Sequence, residues 1–352
     1  MNEINDSRTL KEFRKISFSN FEKSKVKKEL LNCLKSSKYE SAFYWGAELI
    51  CAGHLVDLWE IIILFMSKHI HIGNPKLPIY LAIKIESFKK IIENGYRDNE
   101  LMLRNNINIR NLFTEILTIL CLSRKKHNFE LVKISKDEFN TEIFGAKLKA
   151  PNIEYAKEFF KDGDLKEIFI AINEFSYNLS NSCKNSFSAC YWFEWLIGLQ
   201  QMYIKKKEKC EIERRQFVKV NDKYQMNLIW IIWEALLCYV NKTNNKVKQK
   251  IINSLLDIYC LRFTPGVISK RKFIIYFAIS IITEQIDLNI KICSDDNIAK
   301  YYIKNIDFIY KTIKKNEIPL KTDYLFNGIE KKTNLEKTIQ KLEKLNLITN
   351  NI

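Results

Sequence analysis

The sequence predicts an all-α fold, a multi-helix bundle built of helical hairpins, and three observations carry that expectation. Apolar residues recur at three- and four-residue intervals through long stretches, the spacing of amphipathic helices. Only 9 Gly and 5 Pro occur in 352 residues, too few for the tight turns of a sheet-rich fold. The breaks between stretches fall at Gly, Asn and Pro, which suit helix ends. With 47% apolar and 12% aromatic residues the chain can fill one large or two ordinary cores.

Residues 1–28 are rich in Lys, Ser and Asn and read as a flexible basic arm leading into a helix near 27–36. From Ser41 to Ala82 the chain reads as two helices and the start of a third. Ala42, Trp45, Leu49 and Ala52 share one face, and Leu55, Leu58, Trp59, Ile62, Phe65 and His69 another. Gly53-His54 makes the first break and Asn74-Pro75 the second, with Asn as N-cap and Pro at the first helical position, where its missing donor costs nothing. The third helix should run from Pro75 to about Glu93 and stop at Asn94-Gly95. After a short piece over 98–104, Ile109, Leu112, Phe113, Ile116, Ile119 and Leu120 mark a further helix. The basic cluster Arg124-Lys125-Lys126-His127 suits the negative end of its dipole.

Periodicity is lost from Asn128 to Ala150, where FELVKI (129–134) could form one short strand, and a domain boundary is expected there. Asp164-Leu165-Lys166-Glu167 resembles a capping box opening a helix whose stripe is Leu165, Ile168, Phe169, Ile172, Phe175 and Leu179. A further helix is expected over Asp295–Lys315. Beyond the break at Glu317-Ile318-Pro319, Leu335, Ile339, Leu342 and Leu345 form a narrow apolar seam suited to docking on a partner helix or on the body. The chain thus divides into the arm (1–28), a helical unit (29–135), a linker (136–163), a second helical unit (164–315) and a C-terminal amphipathic helix (316–352).

The second unit echoes the first. Ser188-Ala189-Cys190-Tyr191-Trp192 lines up with Ser41-Ala42-Phe43-Tyr44-Trp45, Trp233-Glu234 with Trp59-Glu60, and each half has a later apolar helix, 109–122 and 272–283. Two readings stand side by side: a degenerate internal duplication of one helical unit, and chance likeness between aromatic-rich helices.

No familiar catalytic pattern is present. A phosphate-wrapping GxxxxGK[ST] or GxGxxG loop is missing, as are Gly-x-Ser-x-Gly and His-Glu-x-x-His. His69-Ile70-His71 is the one close histidine pair, but the two point to different sides of a helix and no third ligand follows at metal spacing. No catalytic residue, metal or cofactor is therefore expected. A carboxylate pair assembled by the fold is the remaining route to catalysis. The nine cysteines include no Cys-x-x-Cys pair, and Cys51, Cys121, Cys190 and Cys238 lie in apolar helical runs, as reduced core residues of an intracellular protein do. The N-terminal stretch is polar and charged, so no signal peptide is expected. The longest strongly apolar run, Leu228 to Val240, contains Glu234 and falls short of the ~20 residues that span a bilayer.

The balance of 57 Lys+Arg against 41 Asp+Glu gives +16, which would attract polyanions; an AT-rich coding sequence would produce the same Ile, Lys and Asn bias. Lys205, Lys206, Lys207, Lys209, Arg214 and Arg215, with Lys270, Arg271 and Lys272, could converge on one face and contact phosphates. Glu208, Glu211 and Glu213 interrupt the first cluster, as on a solvated, charge-mixed helix.

The stretch around residue 41 resembles the helical C-terminal region of clamp-loader-like AAA+ ATPases of the MgsA/RarA (Werner-helicase-interacting protein) type. Ala42-Phe43-Tyr44-Trp45, Gly53 and Ile72-Gly73-Asn74-Pro75 match that family's Ala-Leu/Phe-Tyr-Trp helix, following glycine and Ile-Gly-Leu-Ala-Asp-Pro-like turn. More weakly, Leu112, Glu115, Leu120, Ser123 and Lys125 resemble its later helix. His71 replaces the family's acidic residue, and the likeness, over about residues 39–133, does not include the ATPase module. It implies a collar-type helical fold that mediates oligomerisation, with structural roles for Tyr44, Trp45, Gly53, Trp59, Gly73 and Pro75. The whole chain also resembles proteins of nucleocytoplasmic large DNA viruses. The function these features imply is a non-catalytic assembly subunit in viral DNA replication or repair, located in host cytoplasm or viral factory. Its partners would be other proteins or copies of itself, with no membrane. The alternative is a nucleic-acid-binding protein using the basic loops of the second half.

Overall fold

Gly53 and Gly95 show how the chain is folded into hairpins. Each sits at a helix end with φ of +74° and +101°, a conformation glycine takes without the Cβ penalty. The computed structural model describes residues 3–96, 99–127 and 132–319, and among them the regular elements are all helical. Helix α1 (Lys23–Lys35) turns through Ser37 into α2 (Tyr39–Cys51), which Gly53 separates from α3 (Leu55–Leu64). A π-helical turn, Phe65–Ile70, continues α3 and is followed by α4 (Leu77–Glu93) and α5 (Ile107–Leu122). Asn106 caps α5, its side chain accepting from the backbone N–H of Asn108 and Ile109.

Helix α6 (Thr141–Ala146) is short. Helices α7 (Phe169–Leu179) and α8 (Ser186–Lys206) form the next hairpin, followed by α9 (Ile229–Asn241), α10 (Lys246–Cys260), α11 (Val267–Lys270) and α12 (Lys272–Thr283). Asn185 and Asn245 cap α8 and α10. Two last helices, α13 (Asp296–Asn305) and α14 (Asp307–Lys314), occupy the stretch where one helix was expected.

Within the first half α1 packs on α2, and α5 packs on both α2 and α4. Within the second α7 packs on α8, and α12 on both α8 and α10. The halves are not separate bodies. Helix α4 lies on α10, the π turn lies on α12, α13 packs on α5 and α14 on α2. One continuous core results, with Phe65 and Phe113 in one half and Trp192, Trp230, Trp233 and Tyr276 in the other. The boundary expected after residue 135 is therefore a connection over a shared core, and the 136–163 segment itself buries Ala156 and Phe159.

The amino-terminal segment is not loosely held. Ile4, Phe13 and Phe18 are buried. The Arg8 guanidinium lies 4.6 and 4.9 Å from the Phe13 and Phe18 ring centroids and pairs with Asp6 at 2.7 Å. Ser7 donates its N–H to Ile318 O, and Ile318 returns one to Asp6 Oδ2. A few apolar residues in a polar segment suffice to anchor it once the body offers a surface. Residues 128–131 and 320–352, which hold half of the expected strand and the seam of Leu335, Ile339, Leu342 and Leu345, lie outside the described residues; 132–134 form no strand.

Candidate functional site

A groove of about 860 Å³ runs between α3 and α4 on one side and α10, α11 and the start of α12 on the other. Its walls are apolar because the helices that build it carry more apolar residues than their mutual packing consumes. Val56 and Ile83 remain 49% and 59% exposed within it, while Leu55, Ile85, Ile258 and Val267 are buried beneath. Trp59 forms part of the wall, its ring held edge-on by Phe88 at 5.6 Å and tilted against Phe113 at 5.3 Å. Its indole Nε1 is buried without a hydrogen-bond partner.

Glu60, next along α3, reaches across to the opposite half. Its carboxylate lies 2.5 Å from Arg271 Nη2, and the same guanidinium donates from Nη1 to the carbonyl oxygens of Tyr259 (3.0 Å) and Leu261 (2.7 Å). Arg271 thus closes the carboxyl end of α10 and ties it to α3, which fixes the groove's width. Around the rim Lys89 pairs with Glu86 and Lys219 with Asp257, so among the lining residues Lys90, Lys250 and Arg262 remain against Glu100. The rim is net positive.

Of the functional or structural residues expected from sequence, the groove contains Trp59 and Arg271, one from each half, with Leu55 and Glu60 beside them. Tyr44 and Trp45 pack against each other and Trp45 against Phe21 on the far side of α2. Gly53 stands where a Cβ would lie 2.5 Å from Leu10. Pro75 is buried but precedes α4, which starts at Leu77 with Pro78 in its first turn. Asn74 is not the cap: its amide donates to Ser123 Oγ and to Ile292 O at 3.0 and 2.9 Å, a bridge between distant segments that outcompetes local capping.

Gly73 lies where a Cβ would approach the Arg124 carbonyl oxygen to 2.3 Å. Gly73→Ala is therefore expected to destabilise the fold by about 1–3 kcal/mol, the range for overpacking, and to push the 124–127 segment away. Thermal unfolding checks the first effect and amide exchange in that segment the second.

The nine basic residues of the second half do not form one surface. Lys205, Lys206, Lys207 and Lys209 are exposed at and just beyond the end of α8, and Lys270 is exposed before α12. Arg214 pairs with Asp222 and Lys272 with Glu194. Arg215 and Arg271 are internal cations, buried against Asp164 and Glu234 and against Glu60, and cannot reach a phosphate. Adjacency in sequence to exposed lysines gave no sign of this. Asp164, expected in a capping box, is instead fully buried as Arg215's partner and accepts the N–H of Lys161 and Glu213.

The signal that could have found these pairs was the repeated Trp-Glu. At both 59–60 and 233–234 the glutamate holds a buried arginine and the indole N–H is buried without a partner. Among the described residues no three His, Cys, Asp or Glu side chains are grouped to hold a metal ion. No described helix is long and apolar enough to cross a membrane. All nine cysteines are free. Comparison with protein-family models, curated proteins and solved structures found no match.

Proposed function

We infer that the chain is a non-catalytic assembly subunit whose groove receives an amphipathic helix of a partner protein. The observation that carries this reading is the half-exposed pair Val56 and Ile83 in an apolar groove of about 860 Å³ with a positive rim. Helix-in-groove recognition uses such a surface, the apolar face of the guest filling the trough and its acidic flank meeting Lys90, Lys250 and Arg262.

The halves are read as degenerate copies of one unit, with α1 to α5 answering to α7, α8, α9, α10 and α12. The parallel packing of α1 on α2 and α7 on α8, and of α4 on α5 and α10 on α12, supports that reading. The groove then lies where α4 meets its own counterpart, α10. The resemblance of residues 39–133 to a clamp-loader collar favours an assembly of DNA replication or repair.

The test places a photo-crosslinking benzoylphenylalanine at position 83 of the full chain. It should capture a segment with apolar residues at helical spacing and acidic neighbours, and Ile83→Asp should weaken that partner by about tenfold or more, as loss of an interface anchor does, without moving the unfolding temperature. Capture of no such segment, or unchanged affinity in Ile83→Asp, contradicts the reading.

A further inference from the structure

Three of the chain's four histidines come close together away from the groove. The chain leaves the π turn through His71, at φ +50° and ψ −134°, a combination that residues other than glycine seldom take. π turns and strained backbone collect at functional sites, and the inference runs from the outlier to a role. The turn carries Lys68 and His69. The segment after α5 carries Arg124, Lys125, Lys126 and His127, and α1 ends on Lys35.

These groups are held in position. Gly73 admits the Arg124 carbonyl closely, Asn74 binds Ser123, and Lys125 Nζ donates to Ser37 Oγ at 2.7 Å and to the Cys121 carbonyl that ends α5. Lys68 Nζ lies 4.8 Å from the Phe273 ring centroid. His69 Nδ1 and His127 Nδ1 are 2.9 Å apart, so one proton serves the pair.

The charged groups acting on buried His69 are Lys35, His127 and Lys68, and Lys126 acts on His71. Carboxylates on the surrounding helices are engaged elsewhere: Glu60 with Arg271, Glu115 with Tyr80 and Lys84, Glu194 with Lys272 and Tyr276, while Glu29 acts on Cys33. Completing the dipoles of α1 and α5 accounts for Lys35 and Lys125. Phe273 accounts for part of the placement of Lys68, which leaves Lys126 and the histidine pair unexplained by packing or capping.

We propose that Lys35, Lys68, His69 and His127, flanked by Lys126, form a phosphate-binding site for the backbone of a nucleic acid. The lysines supply fixed charge and the histidine pair a hydrogen-bond donor, and the net charge of +16 favours a polyanion over an isolated ion. The site lies in the first half, away from the lysine cluster that ends α8, and is independent of the groove.

The test is fluorescence anisotropy of a labelled single-stranded oligodeoxynucleotide with the full chain at low salt. Lys35→Glu with Lys68→Glu should weaken binding at least about tenfold and lower the salt slope by about 1–2, while Lys205→Glu with Lys206→Glu, an equal charge change, should cost only about twofold. His127→Ala, at an exposed position, should weaken binding without moving the unfolding temperature. Equal losses in the two charge-reversal pairs would show diffuse attraction and overturn the assignment. So would absence of oligonucleotide binding, whether or not inorganic phosphate binds.

Discussion

Replacing Arg215 with alanine is expected to remove about 3–5 kcal/mol of folding stability, the cost of breaking a buried ion pair from one side. Its Nη1 and Nη2 meet the two Asp164 oxygens at 3.0 and 2.7 Å, Nε lies 2.5 Å from Glu234 Oε2, and the remaining donors reach the Phe159 and Glu213 carbonyls at 3.1 and 2.9 Å. Both Arg215 and Asp164 side chains are fully buried. Without the guanidinium, Asp164 must keep an uncompensated charge in the interior or take up a proton. Lysine should not rescue, because a point charge cannot make the bidentate contact. Asp164→Asn combined with Arg215→Met should recover much of the loss, since it removes both fully buried charges and leaves only Glu234, a quarter exposed, to be solvated by water. Denaturant midpoints for the single and double variants check this, and a loss below about 1 kcal/mol in Arg215→Ala would contradict the burial of the pair.

Acid should destabilise the fold well before its carboxylates titrate. Burial holds His71 down to about 4, and Lys126 pushes the same way; a hydrogen bond that the ring donates to the Tyr276 backbone opposes them only in part. His69 is also held down to about 4, by burial first and then by Lys35, His127 and Lys68. Each ring is neutral in the folded chain at a pH where the unfolded chain, titrating near the usual value of about 6.5, is protonated. The unfolded state therefore binds more protons between about pH 6.5 and pH 4, and stability falls as pH falls through that window. For His71 the loss by pH 4 is on the order of 3 kcal/mol. His71→Gly should flatten the profile, since glycine takes this backbone conformation without the Cβ penalty. Denaturant unfolding across the window measures the slope; a flat wild-type profile would mean the histidines are solvated.

The helices were legible wherever an apolar stripe ran at helical spacing between Gly, Asn or Pro breaks. The face of Leu55, Leu58, Trp59, Ile62, Phe65 and His69 is buried along its whole length, and the stop at Asn94-Gly95 stands as read. Boundaries slipped where side chains found distant partners. Asn74 bridges to Ser123 and Ile292 instead of capping, so α4 begins later, and Asp164 serves Arg215 instead of a helix start. The π turn left no mark in the pattern, because one extra residue per turn preserves a buried face. Pairings across the halves, Glu60 with Arg271 above all, were illegible because a single chain shows charge but not which opposite charge the fold brings near. Of the candidate site, Leu55, Trp59, Glu60 and Arg271 had been singled out, Leu55 and Glu60 only for packing or repetition and Arg271 for a role its burial prevents.

Hydrogen exchange of the full chain, alone and with the helical segment captured at position 83, tests the docking claim most directly. Binding should slow exchange together along Leu77–Glu93 and Lys246–Cys260, the facing helices of the groove, and leave the Phe65–Ile70 turn unchanged. Slowing on only one of those helices, or on neither, would contradict a groove that both halves build for one partner.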